Sequence, residues 1–321
     1  MTRSGAGSLS LRALFAVLCT AGSLAALSPA RGSDVAPLEV TESAAGVFVH
    51  AGVHEETTSD NLGDIANIGF IVGEKCVAVI DSGGSPAVGR ALAAAVRSRT
   101  SLPVCYVINT HMHPDHVFGN AAFLDAAPRP RFVGSVQLPQ ALAARDEHYR
   151  AALAAALGTS SDSLRLVPPD LLVDAPLRLD LGGRVLSLQR WPTAHTDNDL
   201  TVFDETTGTL WLGDLLFDQR IPSIDGSIKG WLEVSARLRE LPARQVIPGH
   251  GRIAPPWPAT LDTQTRYLEQ VVARVRDALA RGLTLQQTVE ASDAADASAW
   301  RLAEGYHRRN LTAAYAELEW E

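Results

Sequence analysis

The sequence predicts a layered α/β fold in a single domain over residues 38–320. Hydrophobic residues make up 46% of the 321 residues, enough to build a sizeable core. From Leu38 onward, short strand-like runs alternate with helical periodicity. Neither a long linker nor a repeat of 20–50 residues interrupts this pattern. Strands and helices mixed along one continuous chain indicate sheets covered by helices.

The first half of the chain is dominated by strand signals. Apolar runs over residues 47–49, 67–72 and 76–80 are bounded by Gly and polar residues, as strands are. Ser85 and Pro86 then predict a helix start, and the helix continues through Val88, Leu92 and Val96 at four-residue steps. Residues 104–108 form a further apolar strand. Residues 141–157 have an ordinary helical composition.

The second half changes from strands to helices. Residues 178–190 and 199–213 predict two strand pairs, with turns at Gly182-Gly183 and Thr207-Gly208. Periodic apolar residues from Trp231 to Leu241 predict a helix that Pro242 closes, and residues 246–247 a strand stub. From about residue 259 the pattern is helical, with Gly282 at one helix end. The last 35 residues predict more helix.

The charge balance limits the classes of partner. The formal net charge is −8, and the first 30 residues contain two Arg and no acidic residue. Removing them would make the charge two units more negative. An acidic protein repels the phosphate backbone, so we expect a small-molecule substrate and no nucleic-acid partner.

The first 30 residues are typical of a secretory signal. Arg3 and Arg12 precede an apolar stretch over residues 14–27, and Ser28 and Ala30 place small residues before a cleavage point. A membrane anchor is the alternative, but the 15 residues from Ala13 to Leu27 are shorter than the roughly 20 that a spanning helix needs. We therefore expect a periplasmic protein with no membrane attachment after signal cleavage.

Two cysteines would remain after cleavage, Cys76 and Cys105. Each lies in an apolar run that predicts a buried strand, and neither has metal-ligand spacing. The favoured interpretation is two buried thiols. A disulfide is the alternative if the two strands are neighbours, because an exported protein meets an oxidising compartment.

The sharpest motif is H-x-H-x-D-H, formed by His111, His113, Asp115 and His116 directly after a strand. Side chains two residues apart in extended chain point the same way, so His111 and His113 can bind one metal ion. If Pro114 starts a helix, Asp115 and His116 turn to the other side and can bind a second ion. One short segment would then serve two metals.

Three isolated residues complete this ligand set: His195, Asp214 and His250. Each follows or ends a strand-like run, where we expect a turn to bring its side chain to the metal site. A carboxylate at the end of an apolar run is costly unless it is paired or bound to metal. Five imidazoles and two carboxylates with no thiolate suit Zn²⁺, although Fe or Mn enters such sites.

The order of these motifs resembles the metallo-β-lactamase superfamily over nearly all of the chain after residue 30. The resemblance implies a four-layer αββα sandwich, with C-terminal helices in this chain and a di-metal site at one edge of the sheets. It implies that His111, His113 and His195 hold the first ion, that Asp115, His116 and His250 hold the second, and that Asp214 bridges them. Asp81, in Val79-Ile80-Asp81-Ser82-Gly83, would brace the ligand loop.

Within that superfamily, four stretches are similar to the quinoprotein relay system zinc metallohydrolases, exported relatives of sulfur-oxidation-linked proteins. These stretches are residues 64–73, 110–123, 193–217 and 248–251. The resemblance implies a component of a quinoprotein dehydrogenase system. Asp214 stands where true β-lactamases of this fold usually have Cys or Ser, which makes a β-lactam specialist less favoured.

These features predict a zinc-dependent hydrolase that uses a di-zinc-activated hydroxide on an ester, thioester, lactone or amide. Asp115 is the predicted catalytic residue, since it can orient the nucleophile and relay its proton. Three alternatives stay open: a mononuclear-iron persulfide dioxygenase-like enzyme, a β-lactamase-like lactam hydrolase, and a non-enzymatic metal-binding accessory protein.

Some residues near the motifs have open roles. Residues 135–165 are a candidate lid. His54, Glu55 and Glu56 belong to an exposed polar loop or to the mouth of the pocket. His148 and His307 are expected at the surface. Four residues close to the ligands in sequence are expected either to contact substrate or to pack in the core: Trp191, Phe217, Asp218 and Gln219.

Overall fold

A computed structural model describes residues 35–292 and 297–321, together with Gly5 and Gly7. The predicted signal segment, residues 1–30, otherwise lies outside the described residues, as does Cys19. The helices of the described part include none with both the length and the apolar character needed to cross a bilayer.

Seven strands form the first sheet, in sequence order from β1 to β7. The pairs from β1 to β4 are antiparallel and those from β4 to β7 are parallel. The strands are β1 (Thr41–Ala44), β2 (Val47–His50), β3 (Ile68–Val72), β4 (Val77–Ile80), β5 (Val104–Ile108), β6 (Arg131–Ser135) and β7 (Leu171–Val173).

Five strands form the second sheet, in the order β12-β11-β10-β9-β8. All of its pairs are antiparallel except β11 with β12, which run parallel. The strands are β8 (Leu177–Asp180), β9 (Val185–Arg190), β10 (Leu200–Asp204), β11 (Thr209–Phe217) and β12 (Gln245–His250).

Helices connect and cover the strands. They are α1 (Pro86–Arg99), α2 (Pro114–Val117), α3 (Leu138–Leu157), α4 (Ile228–Arg239), α5 (Ala259–Ala280), α6 (Leu285–Glu290) and α7 (Ala303–Leu318). As predicted, Ser85 caps α1, where its Oγ accepts a hydrogen bond from Val88 N at 3.3 Å. A 3-10 helix over Phe118–Phe123 continues α2.

The alternation of side chains along each strand builds the layers. In β4, Ala78 and Ile80 face the second sheet, where they join Trp211 and Ile247 in one buried cluster. Val77 and Val79 point the other way and pack under α1. On the outer face of the second sheet, apolar residues of α4, α5 and α7 form a third cluster. These layers confirm the predicted α/β sandwich.

The cysteine prediction was wrong: Cys76 and Cys105 form a disulfide rather than two free thiols. Cys76 directly precedes β4 and Cys105 lies in β5, and these two strands are parallel neighbours. Their Cα atoms are 5.7 Å apart, within the usual range for a disulfide. The sequence favoured thiols because it did not show which strands pair.

A second correction concerns His307, which is buried rather than at the surface. It lies on the inner face of α7, where its Nδ1 is 3.0 Å from the Tyr267 hydroxyl of α5. His148, on α3, is exposed as expected. The α3 segment packs against the body of the protein through Leu138, Leu142 and Leu153.

Candidate metal centre

The seven predicted ligands meet at one end of the two sheets. The structure groups His111, His113, His195 and Asp214 as one set of candidate metal ligands, and Asp115, His116 and His250 as a second. Within each set, the ligand atoms lie within 4.8 Å of one another. The residues thus come together from four separate parts of the chain.

The first set surrounds a point between three imidazoles. His113 Nδ1 lies 3.0 Å from His111 Nε2 and 2.9 Å from His195 Nε2. Asp214 Oδ2 is 3.7 Å from His111 Nε2 and 3.4 Å from His195 Nε2. In a tetrahedral zinc site with Zn–N of about 2.0–2.1 Å, neighbouring ligand atoms are roughly 3.3 Å apart. The spacing in this set therefore fits a metal ion.

The second set has similar dimensions. His250 Nε2 is 3.2 Å from Asp115 Oδ2, and His116 Nε2 is 3.8 Å from the same oxygen. Asp214 reaches this set as well, since its Oδ2 lies 3.4 Å from His250 Nε2. One carboxylate oxygen is thus 3.4 Å from a histidine of each set.

The local structure of the H-x-H-x-D-H segment follows the predicted division. His113 is the extended residue that precedes α2, and Pro114 occupies the first turn of that helix. Asp115 and His116 belong to α2 and join the second set, although the His116 ring stays 4.3 Å from the His111 ring. The change from extended chain to helix is what lets neighbouring residues face two different sets.

Hydrogen bonds to the outer ring nitrogens fix the histidine tautomers. His195 Nδ1 lies 2.6 Å from the Ser223 carbonyl, and His250 Nδ1 lies 2.7 Å from the Ile65 carbonyl. A carbonyl only accepts, so each Nδ1 carries the proton and each Nε2 presents a lone pair to the cluster. His113 is reversed: its Nε2 donates to Asp225 Oδ2 at 3.1 Å, and its Nδ1 faces inward.

Asp81 holds the remaining two histidines, as the resemblance implied. Its Oδ2 accepts hydrogen bonds from His116 Nδ1 at 2.7 Å and from the Thr110 hydroxyl at 2.8 Å. Because that hydroxyl donates to Asp81, its oxygen is free to accept from His111 Nδ1 at 3.0 Å. All five histidines therefore turn one ring nitrogen toward the cluster, and that nitrogen binds metal in its unprotonated form.

The turns that carry the other ligands are braced by polar side chains. Asp199 accepts hydrogen bonds from Thr196 N and Oγ1 and so shapes the turn around His195, and burial raises the pKa of Asp199 to about 8. The Asn67 amide donates to the carbonyls of Pro248 and Gly251 on either side of His250. A Cβ at Gly249 would collide with Asp214 Oδ1, so only glycine leaves room there.

Burial and neighbouring charges shift the pKa values of the candidate ligands, and two of their buried atoms have no hydrogen-bond partner. Burial lowers the pKa of His195 to about 3 and that of His111 well below its usual value. Burial raises the pKa of Asp214, but the charges of His250 and His116 outweigh it and leave that pKa well below its usual range. His116 Nε2 and Asp214 Oδ1 are buried and form no hydrogen bond. Unpaired buried groups that converge in this way fit bound metal.

The cluster opens into a cleft of about 290 Å³. His113, Asp115, His195, Asp214 and His250 line its floor. Its walls include Glu56, Thr57, Phe217, Arg220, Tyr306 and Arg309. Glu56 therefore belongs to the mouth of the pocket, the less favoured interpretation of its loop.

Of the four residues with open roles near the ligands, only Phe217 lines this cleft. Asp218 instead pairs with Arg252 at 2.7 Å and borders a separate groove together with Gln219. Trp191 is buried in the outer core and donates from Nε1 to Thr201 Oγ1 at 2.9 Å. Trp191 therefore packs in the core, whereas Asp218 and Gln219 lie outside the metal cleft and Gln219 is exposed.

Sequence reasoning missed several residues around the site. Asp225 and the Ser223 carbonyl hold two ligands from the loop before α4, and Arg220, Tyr306 and Arg309 form a wall of the cleft. Tertiary packing alone brings these residues to the ligands. No spacing in the sequence marks them.

Comparisons with solved structures agree with this architecture. A beta-lactamase domain protein from Burkholderia ambifaria has a TM-score of 0.66 and 20% identity, and the alignment covers 90% of this chain and 89% of that one. A metallo-beta-lactamase from Pontibacter korlensis has a TM-score of 0.56 and 21% identity, with 72% and 99% covered. These levels of identity show a shared fold.

A stereoselective inverting sec-alkylsulfatase, Pisa1 from Pseudomonas sp., has a TM-score of 0.63 and 18% identity. The alignment covers 88% of this chain and 50% of that one, so this chain spans half of that enzyme. A comparison with curated proteins found no match. The family model described as the metallo-beta-lactamase superfamily matches residues 62–250, more than half of the chain. The chain therefore belongs to the metallo-beta-lactamase superfamily.

Proposed function

We propose that the protein is a zinc-dependent hydrolase that binds two ions and cleaves an ester, thioester, lactone or amide. The observation that carries the proposal is the convergence of seven ligand side chains in two sets, with every histidine tautomer fixed by an outer partner. Nitrogen and carboxylate donors without a thiolate favour zinc. The second set of three donors favours two ions over the mononuclear iron of a dioxygenase.

When bound, two divalent ions would lower the pKa of a bound water toward neutrality and polarise the scissile carbonyl. The protein's own groups orient the reaction. Asp115 lines the cleft with its side chain 14% exposed, and its Oδ2 is 3.2 Å from His250 Nε2. We assign to its carboxylate the alignment of the attacking water and the uptake of its proton, which then passes to the leaving group.

The residues that hold the ligands in place also contribute to the proposed reaction. Asp81, Ser223, Ile65 and Asp225 hold the imidazoles in place before substrate arrives, so little reorganisation is needed during the reaction. Phe217 stacks on His250 with ring centroids 5.2 Å apart and shields that side of the cluster from water.

Export and a place in a quinoprotein dehydrogenase system belong to this proposal too. The signal-like segment of residues 1–30 supports a periplasmic location with no membrane attachment after cleavage. The similarity of residues 64–73, 110–123, 193–217 and 248–251 to quinoprotein relay system zinc metallohydrolases supports the link to quinoprotein dehydrogenases. We expect a small molecule as substrate and no nucleic-acid partner.

Metal quantification combined with a hydrolysis screen tests the proposal. The protein without its first 30 residues should bind close to two zinc ions per chain and turn over at least one member of ester, thioester, lactone and lactam panels. His113→Ala should lose metal and hydrolysis together. One iron per chain would favour the dioxygenase, and full hydrolysis in His113→Ala would refute the mechanism. Capture of a quinoprotein dehydrogenase without any turnover would favour the accessory role.

A further inference from the structure

Arg220 is a buried cation on the wall of the metal cleft. Its side chain lines the cleft beside His250, yet the residue is only 5% exposed. Within residues 35–292 and 297–321, no carboxylate lies within ion-pair distance of its guanidinium. A buried arginine without a counter-charge is costly, and proteins seldom keep one without a partner.

The contacts that Arg220 does make leave donors unused. Its Nη1 is 3.2 Å from His250 Nδ1, but that nitrogen donates its own proton to the Ile65 carbonyl. Two donors cannot satisfy each other. Its Nη2 reaches the Tyr306 hydroxyl at a long 3.4 Å. The guanidinium is therefore held in position while part of its hydrogen-bonding capacity points to no acceptor.

A second arginine lies on the same wall. Arg309 is exposed on α7 and lines the cleft, with its guanidinium 4.9 Å from the centre of the Tyr306 ring. Arg220 lies 5.7 Å from the same ring centre. Tyr306 thus holds both cations at the cleft. Two of these three residues belong to α7, outside residues 62–250 that the superfamily model matches.

The local charge contrasts with that of the whole protein. The chain has a formal net charge of −8, but this wall of the cleft presents two guanidinium groups against the single carboxylate of Glu56. Glu56 is itself exposed and accepts a hydrogen bond from the Tyr306 hydroxyl at 3.2 Å. A positive wall in a low-dielectric cleft attracts an anion.

We propose that Arg220, Tyr306 and Arg309 form a carboxylate-binding subsite that selects substrates with a free carboxylate beside the scissile bond. The planar fork of a guanidinium matches the two oxygens of a carboxylate, and the Tyr306 ring positions both guanidinium groups. The selectivity rests on the proposed hydrolase function, whereas the binding of a carboxylate does not depend on it.

A pair of substrates that differ only in charge tests the selectivity. Mono-4-nitrophenyl glutarate carries a free carboxylate, and its methyl ester does not. We expect the zinc-loaded protein to prefer the free acid by about 10–100-fold in kcat/KM. Arg220→Gln should abolish this preference by lowering kcat/KM for the free acid at least tenfold more than for the methyl ester, while Arg309→Gln should reduce the preference by a few-fold. Equal losses for both substrates would show a structural role instead.

A binding measurement separates the subsite from the hydrolase function. Titration calorimetry of glutarate with the metal-free protein needs neither zinc nor turnover. We expect Arg220→Gln to weaken binding at least tenfold. The matched control Arg276→Gln removes the same charge from an exposed pair with Glu321 outside the cleft and should have no effect. Binding that is absent, or equal in wild type and Arg220→Gln, would overturn the subsite. Thermal melts and the exposed Arg309→Gln variant control for misfolding.

Discussion

The two ends of the β9–β10 hairpin bury polar groups in opposite ways. At one end, Asp204 accepts hydrogen bonds from Arg184 Nε at 3.0 Å and Nη2 at 2.6 Å, and Arg184 Nη1 donates to the Val72 carbonyl at 2.9 Å. At the other end, His195 joins a cluster in which two buried inner atoms, His116 Nε2 and Asp214 Oδ1, form no hydrogen bond. At the first end the buried polar groups satisfy one another with hydrogen bonds, whereas at the second end they need a bound ligand.

One end of the β9–β10 hairpin therefore serves stability, and the other end serves function. A buried pair with all its partners contributes to folding and gives a substrate nothing to bind. A buried cluster with unpartnered ligand atoms weakens the protein until metal binds, and metal binding then adds its free energy to folding.

The largest effect should come from Asp214→Ala. Its Oδ2 is 3.4 Å from both His195 Nε2 and His250 Nε2, so its loss affects both sets of ligands. We expect the zinc content to fall from two ions to one or none and the rate to fall by at least about 10³-fold, or about 4 kcal/mol. Elemental analysis and kinetics measure both. A variant with two tightly bound ions and normal turnover would contradict the role of Asp214.

Asp204→Ala should affect the opposite end of the hairpin. It leaves the Arg184 guanidinium without its carboxylate in a nearly buried position. We expect a loss of about 3–5 kcal/mol in the free energy of unfolding, measured by denaturant titration. Metal content and rate per folded molecule should stay normal. A loss of metal in this variant would mean that the two ends are coupled.

The contribution of Asp204 should also depend on pH. Burial raises the pKa of Asp204, but the hydrogen bonds from Arg184 and Thr207 outweigh it and leave the pKa below its usual value. A lowered pKa in the folded state stabilises the protein above the unfolded-state pKa of about 3.9, and this contribution is lost as the pH falls below it. The difference in stability between wild type and Asp204→Ala should therefore be full at pH 7 and should shrink steadily below pH 4.

Asp225→Asn tests the outer support of the first set. The Asp225 carboxylate accepts the proton of His113 Nε2 and faces Arg145 of α3 at 3.7 Å. We expect affinity for the first ion to fall by about 10–100-fold, with the second ion retained. Competition with a zinc chelator measures the two affinities. Equal weakening of both ions would point to a general disturbance of the cleft.

The smallest effect should come from Arg178→Ala, on the exposed face of the same sheet. Arg178 pairs with Glu205 at 2.6 Å, but the two side chains are 66% and 35% exposed. Solvent screens such a pair, so we expect a change of at most about 1 kcal/mol in unfolding free energy and none in metal binding. A larger loss would mean that the contrast with Asp204 does not depend on burial.

How much of this could be predicted from the sequence depended on the range of the interactions. Local signals were sufficient for the Ser85 cap, for the turns at residues 182–183 and 207–208, and for the division of the H-x-H-x-D-H segment by Pro114. No strand was predicted at β1, β6 or β7, which are three to five residues long. The last two are held by parallel pairing with distant strands.

Long-range packing accounts for what was missed at the site. The sequence pointed to all seven candidate ligands, because each follows a strand or a turn signal. It did not point to Asp225, Arg220 or Tyr306, which reach the ligands from the loop before α4 and from α7. It favoured free thiols at Cys76 and Cys105 because the adjacency of β4 and β5 is a property of the folded sheet.

That cysteine link bears on how the protein should be produced. The bond joins the starts of two strands whose far ends deliver Asp81 and Thr110, so it secures the register on which the hydrogen bonds of Thr110 with Asp81 and His111 depend. Synthesis in a reducing cytoplasm would leave the register to backbone pairing alone. Recombinant protein from an oxidising host is therefore the appropriate starting material for metal titrations, and a preparation with two free sulfhydryls is expected to load zinc less uniformly.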